Sequence, residues 1–246
     1  MQDEKQAAPQ WPSLPLVTVK YAQTLDGRIA TATGDSQWIS GPDSLRLAHQ
    51  LRAEHDAIMV GIGTVLADNP QLNVRLAGGR DPLRIIVDSR LRIPLTARVL
   101  AGDAARHTII ATTELAEDNA RQAIERCGAQ IVILPTIAGS SRVDLALLLG
   151  KLKGRGISSV LVEGGSLIIT SLLAQKLVDR LIVAIAPKLI GSGKDAIGDL
   201  GIRRLADALT FSDLVTRQLG NDVIFDGHID WKDERPASQT MDSLKE

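Results

Sequence analysis

Lys20 interrupts the alternating apolar run Leu16 to Tyr21 (LVTVKY). An ionisable residue inside a half-buried strand is either at a sheet edge or aimed into a cleft, where burial makes its proton labile. A second reactive group, Glu163, ends the apolar run Leu161-Val162 and stands just ahead of Gly164-Gly165-Ser166. Ligands of open α/β sheets bind at the C-terminal ends of strands, which is where this carboxylate falls. Gly-Gly opening a helix lets a phosphate approach the unpaired amides of Gly165, Ser166 and Leu167. A plain strand-to-helix turn would also use two glycines; the carboxylate beside them tilts the reading toward a site. Arg52 and Arg75 are the residue type that grips phosphate bidentately, although a lone arginine is more often a solvated surface group. Trp38 stands out in a chain that is 2% aromatic, and the loop residues Gly34-Asp35-Ser36-Gln37 before it make its indole a lid or a stacking surface.

Other motifs carry less. Val60-Gly61-Ile62-Gly63-Thr64 begins like a dinucleotide fingerprint, but Leu66 replaces its third glycine. The next strand ends in Asp88, where a Rossmann fold would hold its ribose-binding acid, so that reading stays as the minor one. Asp68-Asn69-Pro70 cuts the following helix short, because proline disfavours helix in its predecessor. Gly191-Ser192-Gly193-Lys194 departs from a P-loop and reads as a surface turn. The four histidines, His49, His55, His107 and His228, show no ligand spacing, so no metal site is expected. His49 and His55 are expected to face solvent. Cys127, the one cysteine, excludes an internal disulfide and is expected to be buried packing. Neither a G-x-S-x-G elbow nor the H-x-E with P-C-x-x-C signature of zinc deaminases occurs.

The elements that must position these groups follow from composition and periodicity. The chain has 246 residues, 44% apolar and 23% charged, with a formal net charge of −1. That is a soluble globular balance without the basic field that would attract nucleic acid or an anionic membrane. No apolar run approaches the ~18 residues of a membrane helix, and Met1 to Gln10 lacks a signal peptide's apolar core. A cytoplasmic protein is expected. One domain over 12–231 with flexible ends, 1–11 and 232–246, is the simplest division. Strands are expected at Leu16–Tyr21, Ala57–Val60, Arg84–Val87, Thr108–Ala111, Gln130–Leu134, Ser159–Val162 and Leu181–Ala186. Helices are expected at Pro42–His55, capped by Ser40 or Asp43, and at Leu115–Arg126, Val143–Lys153 and Ser166–Ala174. Leu209–Gln218 and Asp222–Phe225 across Gly220-Asn221 read as an antiparallel hairpin. The class is α/β: a mostly parallel sheet flanked by helices, with a C-terminal antiparallel hairpin.

Read in order, these segments resemble the reductase domain of the bifunctional riboflavin-biosynthesis deaminase/reductase and its standalone fungal and archaeal counterparts. The matching strings are Val19-Lys20, Leu25-Asp26-Gly27-Arg28, Ser36-Gln37-Trp38-Ile39-Ser40, Leu51-Arg52, Gly63-Thr64-Val65-Leu66-Ala67-Asp68-Asn69-Pro70, Leu72-Asn73-Val74-Arg75, Val87-Asp88-Ser89, Val162-Glu163-Gly164-Gly165, Leu177-Val178-Asp179 and Ala186-Pro187-Lys188. The resemblance implies a dihydrofolate-reductase-like fold, a homodimer, and NADPH as cofactor. The implied reaction delivers hydride to ribose C1 of a ribosylaminopyrimidine 5′-phosphate, aminated or deaminated, giving the ribitylamino product. It places Ser36, Arg52, Leu72, Arg75 and Glu163 on the phosphorylated substrate, with Arg52 and Arg75 at its phosphate. It places Gln23, Trp38, Thr64, Asp68, Ser89, Gly164, Gly165, Ser166, Leu167 and Ile168 on the cofactor. The pyrophosphate would lie along Gly165 to Ser171, and Gly164-Gly165 would be the cis peptide typical of the fold. Lys20 is then the expected proton donor, and Glu163 the anion that orients substrate and stabilises positive charge. The deaminase half is expected to be missing. Two alternatives share the cleft: a paralogous dihydrofolate- or pterin-type reductase, and a non-catalytic NADPH-binding protein.

Overall fold

The computed structural model describes residues 14–137 and 139–231, so the ends expected to be flexible lie outside the described residues. In chain order the elements are β1 (Leu16–Thr24), β2 (Arg28–Thr31), α1 (Pro42–Glu54), β3 (Ala57–Gly61), α2 (Ile62–Asp68), β4 (Leu83–Val87), α3 (Asp103–Arg106), β5 (Thr108–Thr113), α4 (Asp118–Arg126), β6 (Gln130–Leu134), α5 (Leu145–Gly154), β7 (Ser159–Val162), α6 (Ser166–Ala174), β8 (Arg180–Ala186), β9 (Gly193–Asp195), β10 (Thr210–Leu219) and β11 (Asp222–Asp230). A nine-stranded sheet runs in the order β10-β11-β8-β1-β7-β3-β4-β5-β6. Its pairings are parallel from β8 to β6, while β11 is antiparallel to β8 and β10 antiparallel to β11. β2 and β9 form a separate antiparallel pair.

The short apolar runs form strands because helices cover both faces. β3 is buried at every residue, as β-branched and apolar side chains on a doubly covered sheet should be. Val17, Val19, Met59, Ile85, Val160 and Val162 join α5 and α6 in one cluster. Residues of the opposite parity, Ile58, Val60, Ile86 and Ile110, pack with α2 and α4, and Leu161, Ile182, Ala184 and Ile224 pack with Leu47 and Leu51 of α1. Lys20 shares the parity of Thr18 and Ala22, so it points to the α1 side.

Several boundaries differ from expectation for local reasons. Neither Ser40 nor Asp43 caps α1: its N-cap is Gly41, and Asp222 accepts both the Gly41 N–H at 2.7 Å and the Ser44 hydroxyl at 2.5 Å. α5 starts later than expected because Asp144 is its N-cap, accepting the Leu147 amide at 3.0 Å. β11 runs on past Phe225 because β8 pairs with it as far as His228. Residues 193–195 are not a simple surface turn but the strand β9. His49 and His55 do not face solvent: both are buried, His55 bridging the Leu51 carbonyl (2.6 Å) and the Thr18 hydroxyl (3.0 Å). Cys127 is half-exposed rather than buried packing, because it follows α4 at its end. The helix that holds Gly63, α2, is only seven residues long, with its C-cap Asn69 in the left-handed region, which removes the Rossmann reading.

Candidate active site

Register creates the site. β7 ends at Val162, opposite Val19, but β1 continues five residues further beside β8. Beyond Val19, β1 therefore has no neighbour on the β7 side, and a notch opens at the C-terminal ends of β1, β7, β3 and β4. The chain order also reverses here, since β3 to β6 step outward one way and β7, β8 and β11 return through the centre to the other, a topological switch point. A cavity of about 900 Å³ occupies the notch. Three inter-strand steps separate β1 from β4, so it spans ~14 Å.

At one end stand Lys20, Tyr21 and Ala22 of β1 and Glu163 beyond β7. Glu163 stays on β3 through its N–H to the Met59 carbonyl, 3.1 Å. Its two carboxylate oxygens accept Nε and Nη2 of Arg52 at 2.7 and 2.6 Å, a bidentate pair between side chains 13% and 9% exposed. Arg52 Nη1 donates to the Asn73 carbonyl at 3.0 Å. Burial raises the Glu163 carboxyl, but Arg52, aided by Lys20, overrides it and holds the group below its usual range. Lys20 is lowered too, but by burial itself, with Arg52 adding to that and Glu163 and Asp222 opposing. Burial also pushes the Tyr21 phenol up to about 12.

The middle of the cavity is glycine and helix N-terminus. Gly164 and Gly165 have φ of 93° and 86°, a left-handed pair that other residues would strain. Gly165 is the N-cap of α6 and makes no side-chain cap, so the first amides of a nine-residue helix open beside Ser166 and Leu167, which line the cavity with Ile168. Gly164-Gly165 is not a cis peptide; the one cis bond among the described residues is Gln37-Trp38. Two consecutive positive φ values turn the chain there without it. Thr64 and Asp68 of α2 line the same stretch. Partial burial raises the Asp68 carboxyl, against a hydrogen bond from Ser36 and the nearby Lys194. At the far end Ser89, Arg90 and Arg92 follow β4 and meet Ser141 and Arg142. Buried Asp88 shapes that turn by accepting the Ile93 amide at 2.9 Å.

β2 and β9 close the front. Ile29, Ala30, Gly34 and Ser36 line the cavity with Lys194 from β9. Asp26 fastens this flap, accepting the Thr24 hydroxyl at 2.5 Å and the Gly191 amide at 2.7 Å, and Arg28 pairs with Asp195.

The structure thus gathers Lys20, Ser36, Thr64, Asp68, Ser89, Glu163, Gly164, Gly165, Ser166, Leu167 and Ile168 around one cavity. Gln23, Trp38, Arg52, Leu72 and Arg75 do not line it. Arg52 lies behind Glu163; Leu72 is core at φ 53°; Trp38 is 66% exposed, its carbonyl receiving Lys188 Nζ at 2.6 Å. Arg75 is exposed and stands beside the Arg52–His49 cluster, its amide on His49 Nδ1. Sequence reasoning missed Arg90, Arg92, Arg142, Lys194 and Asp222. The three arginines carry no motif, Lys194 reads only as part of a surface turn, and Asp222 follows Gly220-Asn221, where turn chemistry accounts for it. Among the described residues, no group of His, Cys, Asp or Glu could hold a metal ion, and no helix is long and apolar enough to cross a membrane.

Comparison with known proteins gives a consistent picture. The RibD C-terminal domain family profile matches residues 15–225. The 2,5-diamino-6-ribosylamino-4(3H)-pyrimidinone 5′-phosphate reductase of Methanothermobacter thermautotrophicus is 46% identical over 216 residues, covering 85% of this chain and 96% of that protein. The riboflavin biosynthesis protein RibD of Aquifex aeolicus is 40% identical over 211 residues, 85% of this chain, and the match spans only 56% of that longer protein. Among solved structures, Acinetobacter baumannii RibD superposes with a TM-score of 0.76 at 30% identity, covering 88% of this chain and 58% of that one. Dihydrofolate reductase of Enterococcus faecalis, complexed with NADP(H), superposes at 0.51 with 12% identity over 89% of this chain and 99% of that one, which places the fold as dihydrofolate-reductase-like.

Proposed function

The chain belongs to the RibD C-terminal domain family, and from that premise we propose that it is a reductase converting the ribosyl group of a ribosylaminopyrimidine 5′-phosphate to ribityl, with NADPH as its cofactor. The observation that carries the proposal is the single cavity holding Lys20 and an arginine-anchored Glu163 at one end and a glycine-led helix N-terminus in its middle.

The residues fit the dinucleotide. The uncapped start of α6, with Gly164 and Gly165 bare of Cβ, suits a pyrophosphate. Arg90, Arg92 and Arg142 beside Ser89 and Ser141 suit an adenosine 2′-phosphate and favour NADPH over NADH. Thr64 and Asp68 would hold the stretch between. The bound cofactor supplies the hydride that reduces C1 of the sugar.

Lys20, its ammonium made more acidic by burial, gives a proton to the ring oxygen as the sugar opens to an imine. Glu163, ionised because Arg52 holds it so, stabilises the positive charge that grows at C1 and orients the sugar. Arg52 has three N–H groups committed to Glu163 and Asn73, so it serves the substrate through Glu163 rather than as a phosphate clamp. The 5′-phosphate falls instead to exposed Arg75, with Ser36 and the flap closing over the pyrimidine. A homodimer in the cytosol belongs to the same proposal: β10 is an outer strand exposing Leu214 and Val215, a surface that a second copy would cover.

The test is NADPH oxidation by the purified protein, with the aminated and deaminated ribosylaminopyrimidine phosphates offered separately. Turnover of either establishes the reductase and identifies its substrate. NADPH binding without turnover of either removes the proposed substrate and keeps the cofactor.

A further inference from the structure

Resting on that substrate reading, we propose that His49 is a positioning residue for the substrate's phosphate, a neutral ring that holds residues 73–75 against α1 and so presents Arg75. His49 is fully buried, and its Nδ1 receives the Arg75 backbone N–H at 3.1 Å. A ring nitrogen that accepts carries no proton, so the proton of the neutral ring is on Nε2, which is buried and has no partner among the described residues.

The segment it holds has no regular secondary structure. Two of its backbone N–H groups are tied: Val74 N–H to Asp81 Oδ1 at 2.8 Å on the exposed side, and Arg75 N–H to His49 on the buried side. The same short segment supplies the Asn73 carbonyl to Arg52, and its Asn73 Oδ1 accepts Arg75 Nη1 at 3.2 Å. One imidazole therefore sets both the arginine that anchors Glu163 and the arginine left to meet the phosphate.

Burial and the charges around the ring keep it neutral. Burial opposes protonation most, with Arg52 on α1 and Arg75 on the segment adding to it, while Glu163 from beyond β7, a carboxylate already held by Arg52, and the Asn73 backbone favour it. Lys20 on β1 also acts on Glu163. A proton on Nδ1 would set a donor against the Arg75 N–H and break the tie.

Two measurements test this. In wild-type protein carrying ¹⁵N-labelled histidine, NMR should find His49 protonated on Nε2 alone at neutral pH. The opposite tautomer, or titration at or above the ordinary histidine value, would overturn the proposal. In steady-state assays His49→Leu, which has no acceptor, should raise KM for the phosphorylated substrate about three- to ten-fold with kcat within about two-fold. KM for the same compound without its phosphate should not move. His49→Asn, whose Oδ1 stands near the position of Nδ1, should recover the wild-type KM. Equal KM changes with and without the phosphate, or a His49→Asn protein as impaired as His49→Leu, would reduce His49 to packing. Should His49→Leu fail to fold, the tautomer and His49→Asn decide. If wild type turns over neither pyrimidine, the functional reading fails and takes the phosphate role with it, while the tautomer still decides the hydrogen bond.

Discussion

Replacing Arg52 with methionine isolates the pair on which the reacting end of the cavity is built. The side chains of Arg52 and Glu163 are 9% and 13% exposed, and two charge-assisted hydrogen bonds of 2.7 and 2.6 Å join them. Methionine keeps much of the volume and removes the charge, leaving a carboxylate in a site that was desolvated for a pair. Breaking a buried pair from one side costs about 3–5 kcal/mol, because the remaining ion is uncompensated. At ~2–4 °C per kcal/mol for a domain of this size, the melting temperature at neutral pH should fall by about 6–20 °C. The pH dependence should change sign. In wild type, Glu163 is held below its ordinary value of 4.5, so the pair's stabilisation is present above that pH and is lost as pH falls through the folded-state value. Without Arg52, burial acts on the carboxyl with less opposition, and acidification relieves the lone ion instead of breaking a pair. Thermal unfolding at neutral pH and near pH 4.5 reads both effects. The double variant Arg52→Met with Glu163→Gln leaves no unpaired carboxylate and should be more stable than Arg52→Met alone. A melting temperature within about 2 °C of wild type for Arg52→Met, or no recovery in the double variant, would refute the reasoning.

Four further outcomes are expected. Lys20→Met should lower kcat by about 10²–10⁴-fold, the usual contribution of a positioned proton donor, and near-full kcat would remove Lys20 from the reaction. Because the folded-state pKa of Lys20 lies below 10.5, wild-type stability should rise with pH between the two values, and Lys20→Met should flatten that rise in a melting series. Arg142→Ala should raise KM for NADPH about ten-fold or more while leaving KM for NADH nearly unchanged; equal losses for both would place the 2′-phosphate elsewhere. Gly165→Ala, at φ 86°, should cost about 1–2 kcal/mol of backbone strain and weaken NADPH binding measured by calorimetry; an unchanged melting temperature and Kd would contradict the cradle.

The sheet was legible where runs were short, apolar and bounded by turn residues: strands Gln130–Leu134 and Ser159–Val162 have their expected limits, as does the helix Ser166–Ala174. β2 (RIAT) and β9 (GKD) were not, since neither alternates and each exists only through the other across a long stretch of chain, Arg28 opposite Asp195. α1 was legible as a helix, but its polar residues were not readable as buried. Ser44 and Arg52 are inside because Asp222 and Glu163 accept from them, and His49 because it accepts the Arg75 amide, and all three partners lie outside α1. Types that do chemistry could be picked out singly in the sequence, whereas who neutralises whom is a property of the fold.

That distinction decides how the substrate is met. Read along the chain, Arg52 and Lys20 are two cations awaiting an anionic ligand. In the folded protein Glu163 and Asp222 stand with them, two cations and two carboxylates, so the interior end of the cavity carries almost no net charge. A phosphate drawn there would have to displace the Arg52–Glu163 pair and leave a carboxylate buried beside it, which like-charge repulsion and desolvation both oppose. The cations not already claimed in this way, Arg75 on its exposed segment and Lys194 on the flap, lie nearer solvent, where attraction is weaker but nothing must be broken. The proposed substrate would therefore sit with its charged phosphate at the rim and its sugar C1 inside, beside one acidified lysine and one locked carboxylate.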